Sequence, residues 1–206
     1  MTAGIFDAGL RGERCWLETA AGGRIALAVD RWTAPPGVGD ASLLDPCAGP
    51  TLDVGCGPGR LTAALVARGV VALGVDTSPT AVALTRRRGA SALCRDVYDR
   101  LPGEGRWQHV LLADGNVGIG GDPVRLLRRA RELLSARGSA VVEVDPPGTG
   151  IGRGRARLTA AAGAGPWFDW GWLAADAVPG AAAEAGLAVR WVREHAGRWF
   201  TELVPR

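Results

Sequence analysis

The 206-residue chain contains no lysine, and its 24 basic residues are all arginine. With 31 glycines and many alanines, this points to a GC-rich, bacterial coding genome more than to a special surface. The formal net charge of +3 is too small to argue for nucleic acid, whose binders gather charge on one face. Only four cysteines are present, Cys15, Cys47, Cys56 and Cys94, with no Cys-x-x-Cys spacing, and only two histidines, His109 and His195. Zinc sites need clustered ligands at short spacing, so no metal site is expected. A disulfide framework is not expected in a chain of this size and composition either. No long hydrophobic run occurs: the most apolar stretch, residues 61–75, is broken by Arg68 and by glycines, too short and interrupted to span a bilayer. The first residues, MTAGIFDAGLRGER, lack a charged start followed by an apolar run. The expectation is a cytoplasmic protein without membrane or nucleic-acid partners, its oligomeric state open.

From residue 51 the chain alternates between strand and helix patterns. Short apolar runs at 51–54, 70–75, 91–95, 108–113 and 139–144 predict strands. Between them, 60–68 reads as a helix stopped by Gly69. Ser78 and Pro79 open another, which Gly89 ends, with Arg86, Arg87 and Arg88 complementing its C-terminal dipole. Asp122 and Pro123 open the clearest helix, with Leu126, Leu127, Ala130, Leu133 and Leu134 on one face and Gly138 as its stop. Such alternation predicts an α/β fold with a mostly parallel sheet covered on both faces. Residues 187–194 and 198–204, separated by a short turn, predict an antiparallel hairpin.

Two regions lie outside the alternation. Residues 1–50 carry a probable hairpin, CWLETAAGGRIALAVDRW, then a Pro/Gly loop at 35–39. The glycine-rich, basic segment 146–166, with Arg153, Arg155 and Arg157, is expected to be mobile, and PWFDWGW follows it with Trp167, Phe168, Trp170 and Trp172. Those rings could line a pocket or pack a sheet edge. With no repeat or linker, one domain spans 1–206: an N-terminal extension (1–50), a core (51–145), and a C-terminal segment with the hairpin (146–206).

The sequence LDVGCGPGR, residues 52–60, follows a strand and opens a helix. Glycine lets a ligand approach the main chain closely. The next strand ends in GVDTSP, which puts Asp76 17 residues after Gly59, where an acidic side chain can accept hydrogen bonds from ribose hydroxyls. The spacing Gly55, Gly57, Gly59 preceded by Asp53 departs from the Gly-x-Gly-x-x-Gly of nicotinamide enzymes. An aspartate facing the loop suits an ammonium group better than a pyrophosphate. At these residues the chain resembles the class I, Rossmann-like S-adenosylmethionine-dependent methyltransferases, whose first motif reads (D/E)-x-G-x-G-x-G.

The resemblance covers about residues 50–145 and the terminal hairpin. It implies a seven-stranded sheet in the order 3-2-1-4-5-7-6 with the seventh strand antiparallel. It implies S-adenosylmethionine as cofactor, S-adenosylhomocysteine as product, and contacts from Asp53, Gly55, Cys56, Gly57 and Gly59. It further assigns Asp76 to the ribose, Asp96 to the adenine amino group and Val97 to the ring, and it counts Thr77 among the cofactor contacts. Asp114 would lie near the methionine end and the methyl group. The alternative for Asp96, Asp114 and Asn116 is a role as turn residues, and Asp99 nearby is a decoy of the same kind.

If the acceptor needs a base, the candidates are Asp114, Glu143, Asp145 and His195; strand-end placement favours Asp114 and Asp145. His109 should lie at the far end of its strand. The DPP at 145–147 resembles a nucleic-acid methyltransferase signature but follows the fifth strand and lacks the aromatic residue, so it reads as a turn. The leading expectation is methyl transfer to a small-molecule acceptor. The alternatives are a cofactor-binding relative with other chemistry or none, and a nicotinamide-dependent oxidoreductase.

Overall fold

The computed structural model describes residues 4–206. Its strands are β1 (Trp16–Thr19), β2 (Arg24–Ala26), β3 (Thr51–Val54), β4 (Ala72–Asp76), β5 (Ser91–Cys94), β6 (Trp107–Leu112), β7 (Leu134–Val144), β8 (Ile151–Ala160), β9 (Gly163–Ala164), β10 (Phe168–Leu173), β11 (Leu187–His195) and β12 (Arg198–Pro205). Its α-helices are α1 (Asp7–Leu10), α2 (Val29–Thr33), α3 (Ala41–Leu44), α4 (Arg60–Ala67), α5 (Pro79–Arg87), α6 (Pro123–Leu133) and α7 (Val178–Glu184).

The larger sheet has seven strands in the order β11-β12-β7-β6-β3-β4-β5. All run parallel except β12, which is antiparallel to both neighbours. This is the implied 3-2-1-4-5-7-6 order. Every residue of β3 is buried, as a central strand covered on both faces requires. The helix starts follow local chemistry. Ser78 Oγ accepts from Ala81 N at 3.1 Å, with Pro79 in the first turn. The Asp122 carboxylate accepts from Val124 N and Arg125 N at 3.0 and 3.1 Å.

One boundary differs from expectation. α6 ends at Leu133, and Leu134 is already extended, so β7 begins five residues before Ser139 and Gly138 is no helix stop. A Cβ at Gly138 would sit 2.8 Å from the Trp107 carbonyl, where the β6–β7 register shifts. The glycine serves a strand irregularity, and Leu134 is buried in either conformation, which hides the change from periodicity.

The second sheet corrects a larger expectation. The hairpin β1–β2 forms as read, but residues 151–160, expected to be mobile, are strand β8 at its centre. The order is β10-β8-β1-β2, with β9 also on β8, and the pairing is antiparallel throughout. Glycines weaken a strand by leaving nothing to pack. Here Gly152 and Gly154 make room for Trp172, whose ring lies 3.3–3.4 Å from where their Cβ atoms would be. Arg157 forks onto Glu18 with two hydrogen bonds of 3.1 Å, and Arg153 meets Asp122 at 2.9 Å. The basic run is therefore a set of paired strand residues.

This sheet and the N-terminal helices roof the C-terminal edge of the larger sheet. Phe6 packs edge-on against Trp32 and Phe168, with centroids 6.3 and 5.7 Å apart. Asp7 accepts from Ser78 Oγ and Thr80 Oγ1 at 2.6 and 2.7 Å and so ties α1 to the start of α5. Single bridges, Ile119 to Trp170 and Asp145 to Ala174, join β10 to the loops after β6 and β7.

Candidate active site

Between the roof and the carboxyl ends of β3–β7 lies a cleft of about 700 Å³, in the range of small-molecule sites. The loop after β3 forms its floor. Gly55, Gly57 and Gly59 have φ of 69°, 53° and 79°, the left-handed region that side chains disfavour. A Cβ at Gly55 would stand 2.6 Å from the Asn116 amide, and one at Gly59 2.6 Å from Thr85. At Gly57 the nearest atom, on Leu10, is 3.8 Å away, so there the main chain lies open to the cleft. Asn116 is more than a turn residue: its amide donates to the Val54 and Gly55 carbonyls at 2.9 and 2.8 Å and holds the loop in place. Cys56 lines the same floor and is buried.

Three carboxylates follow one another along the cleft. Asp53 is buried and accepts from Thr62 Oγ1 at 2.6 Å through Oδ2; among the described residues its Oδ1 accepts no hydrogen bond. Burial pushes its pKa up to about 6. Asp76 accepts one backbone N–H on each oxygen, from Ser78 at 2.8 Å and Gly57 at 3.0 Å, which leaves lone pairs for two further donors. Burial raises its pKa too. Asp96 accepts from Tyr98 N at 3.0 Å. It lines the cleft beside Asp99, Thr77 and Val97, of which Val97 is buried.

Asp114 sits in a different setting. It has φ 53°, its N–H donates to Glu143 Oε2 at 2.7 Å, and its carboxylate is gripped by Arg31 at 2.8 Å and Arg60 at 2.9 Å. Arg60 also pairs with fully buried Asp40. Arg198 donates to Glu143 at 2.6 and 2.8 Å and to Asp40 at 2.8 Å. Three carboxylates and three guanidiniums from six separate segments thus close one network. Burial opposes the charge on Arg198, but its bonds to Glu143 and Asp40 hold its pKa above the usual arginine value. Burial likewise opposes the charge of Asp40, yet Arg198, the Gly37 N–H and Arg60 hold its carboxyl below the ordinary range. Sequence reasoning did not find Arg31, Asp40, Arg60 or Arg198. The one local cue was Arg60, directly after the glycine motif.

The network removes Asp114 from the free bases, because its oxygens already face guanidiniums. His195 is corrected as well. It stands at the end of β11, bonds Ser42 Oγ at 2.9 Å, and is not among the residues lining the cleft. His109 bonds Ser139 Oγ at 3.0 Å and also lies outside the cleft. Asp145 does line it. Its backbone is fixed by bonds to Leu173 O and from Ala175 N, its side chain has no hydrogen-bond partner among the described residues, and burial, then Glu143, raise its pKa. Of the aromatic run, Phe168, Trp170 and Trp172 alternate onto one face of β10 and line the cleft, so the rings form the pocket wall and pack the N-terminal helices at once.

Residues 51–138 match the family model described as methyltransferase domain. No protein of curated function matches the chain in sequence. Among solved structures, it is similar to an S-adenosylmethionine-dependent methyltransferase from Bacteroides fragilis in complex with S-adenosylhomocysteine. The TM-score is 0.79 and the identity 20%, over 98% of this chain and 93% of that one. It is also similar to an amino pentose methyltransferase from Micromonospora echinaspora with bound S-adenosylmethionine (TM-score 0.62, 19% identity, 87% and 95% covered). A third is a sugar N-methyltransferase from Streptoalloteichus (TM-score 0.60, 22% identity, 82% and 85% covered). The glycine motif, the strand order and these likenesses agree: the fold is that of the class I S-adenosylmethionine-dependent methyltransferases, and residues 51–138 within it match the model of a methyltransferase domain.

Proposed function

We propose that the protein binds S-adenosylmethionine in this cleft and transfers its methyl group to a small-molecule acceptor. In this reading residues 51–145 hold the cofactor, and 146–206 with the N-terminal hairpin form the acceptor side. The observation that carries it is the pairing of Asp53, buried with one oxygen unpartnered, with Asp76, whose lone pairs remain open across the exposed Gly57 main chain. A buried carboxylate lacking a cation fits an ammonium group, and Asp76 fits a vicinal diol. Asp96 and Val97 would take the adenine, and Cys56 and Thr77 would flank the nucleoside. The cofactor supplies a methyl already activated on a sulfonium. The chain then has to align the acceptor and exclude water, which can supply roughly 7–11 kcal/mol. The aromatic roof does the excluding, and a cleft of about 700 Å³ under it has room for a small molecule rather than a polymer track.

Calorimetric titration with S-adenosylmethionine, S-adenosylhomocysteine and NADH tests this. Micromolar or tighter binding of both sulfur nucleosides, without NADH binding, is expected. Binding of NADH alone would overturn it. Cofactor binding with no S-adenosylhomocysteine formed across an acceptor screen would favour a relative that holds the cofactor for other chemistry.

A pH dependence follows from Asp53. It must be ionised to face an ammonium group, and its pKa is pushed up to about 6. Below that value binding has to release a proton, so affinity falls with falling pH and is flat above neutrality. Between pH 7 and pH 5 the dissociation constant should rise about tenfold, and Asp53→Asn should flatten the profile while weakening binding at pH 7. An equal slope in the variant would assign the proton to another group.

A further inference from the structure

We propose that the acceptor is an amine, entering as its ammonium ion and seated between the Asp145 carboxylate and the indole face of Trp172, with Asp145 receiving the proton that frees the nitrogen lone pair. The inference rests on the methyl-transfer reading above.

The charge of the cleft is opposite to that of the chain. Eight carboxylates and four guanidiniums line it, in a protein of net charge +3. All four guanidiniums are engaged. Arg31 and Arg60 belong to the network around Asp114. Arg125 stacks on the Tyr98 ring at 4.0 Å, and Arg95 donates to the Arg100 carbonyl at 3.3 Å. Two of the four are thus saturated by carboxylates, and the other two are held against the Tyr98 ring and the Arg100 carbonyl. Of the carboxylates, Asp53, Asp76 and Asp96, with Asp99 beside it, lie at the proposed cofactor positions, and Asp114 and Glu143 are consumed by arginines. Asp145 and Asp169 remain on the acceptor side without a basic partner among the described residues.

Asp145 is placed rigidly for such a role. Its N–H donates to Leu173 O at 2.8 Å and its carbonyl accepts from Ala175 N at 3.0 Å, so the backbone is clamped while the carboxylate stays free. Asp145 and Trp172 also line a small side pocket of about 60 Å³ together. The glycine bed of β8 fixes the Trp172 ring. A carboxylate beside an indole face is a cation receptor: the ring quadrupole attracts the charge and the apolar wall removes competing water. A hydroxyl acceptor fits less well, because it carries no charge for the carboxylate and the indole ring to select.

The step balances as follows. The ammonium form passes one proton to Asp145 and exposes its lone pair. That pair forms the new N–C bond as the C–S bond breaks, and the bonding electrons leave on sulfur as a neutral thioether. The methylated nitrogen carries the positive charge, and Asp145 returns its proton to water.

The test uses the full chain saturated with S-adenosylhomocysteine and titrated with 2-phenylethylamine, 2-phenylethanol and phenylacetate, matched in their apolar parts. The amine should bind at least tenfold tighter than the alcohol, and the acid should not bind. Asp145→Asn should remove that preference and leave the affinities for the alcohol and for S-adenosylhomocysteine unchanged. With S-adenosylmethionine, turnover of the amine should rise with pH in the parent protein, and in the variant that rise should move up towards the pKa of the free amine, because only amine already neutral in solution can then react. Trp172→Phe should retain the preference that Trp172→Leu loses. Equal binding of amine and alcohol, or an Asp145→Asn variant that keeps the preference, overturns the inference. Failure of S-adenosylhomocysteine to bind at all would instead sink the methyl-transfer reading on which it rests.

Discussion

Asp76→Ala is expected to weaken S-adenosylmethionine and S-adenosylhomocysteine binding by at least about 100-fold while the protein stays folded. Two hydroxyl donors on one ionised carboxylate contribute about 1.5–3 kcal/mol each, and the smaller sum already exceeds a factor of 100. The fold should survive because the side chain's other duties are modest. It accepts from the Gly57 and Ser78 N–H groups, both beside the cleft, where water can replace it. Burial also raises the Asp76 pKa, so its charge is held at a cost in the free protein and its removal offsets part of the loss. The net change should be about 1 kcal/mol or less, a shift of roughly 2–4 °C in Tm for a chain of this length. Calorimetry and thermal unfolding on one preparation separate the two effects. A folded variant with unchanged affinity would place the ribose elsewhere.

Arg198→Ala should have the largest effect on stability. Its guanidinium joins Glu143 and Asp40, and both carboxylates are nearly inaccessible, at 9% and 0% exposure. Breaking a buried pair from one side leaves charge without compensation and costs about 3–5 kcal/mol. For a chain of this length that is a loss of roughly 6–20 °C in Tm at pH 7. The pH dependence has a definite sign. Despite its burial, Asp40 has its pKa held below the ordinary range by Arg198, Gly37 N–H and Arg60, so its stabilisation is present above the unfolded carboxylate pKa and is lost as pH falls through the lower folded value. The parent protein and the variant should therefore converge in acid, below about pH 4, and diverge towards neutrality. A Tm within 2 °C of the parent at pH 7 would show that the strand pairing of β12 needs no such clamp. Because Arg198 also lies 3.6 Å from Asp114, at the cleft, the variant should weaken cofactor binding as well, which separates the network from a remote stability element.

The two expectations differ in how they could be reached. Asp76 lies at the end of a strand recognisable by its apolar run, and the turn after it carries its own helix cap in Ser78 and Pro79. Such signals are local: they depend on neighbours within one turn, and order along the chain preserves them. The same holds for the β3–α4 loop, where three glycines take left-handed angles that other residues disfavour, and for the Asp122 cap. These settled the parallel sheet and the loop and strand ends that carry Asp53, Asp76 and Asp96 to the cleft.

Arg198 belongs to the other kind. Arg31, Asp40, Arg60, Asp114, Glu143 and Arg198 are spread over 168 positions, and a charge pair between distant segments leaves no periodicity to read. Strand β8 was hidden for a related reason. Two of its alternate positions, 152 and 154, are glycines, so the side-chain pattern that marks a strand is interrupted there and filled by Trp172 of the neighbouring strand. His195 lies at the correct edge of the sheet, but the network at Asp40 and Arg198 and its own bond to Ser42 keep it beside the cleft rather than in it. The sequence alone determined the strand–helix alternation from residue 51, its helix starts and the glycine loop with its acidic partner, because short-range sterics and hydrogen bonding specify them. Only the tertiary structure decided which carboxylates are neutralised and which remain free, because that depends on distances between segments that meet only when the chain is folded.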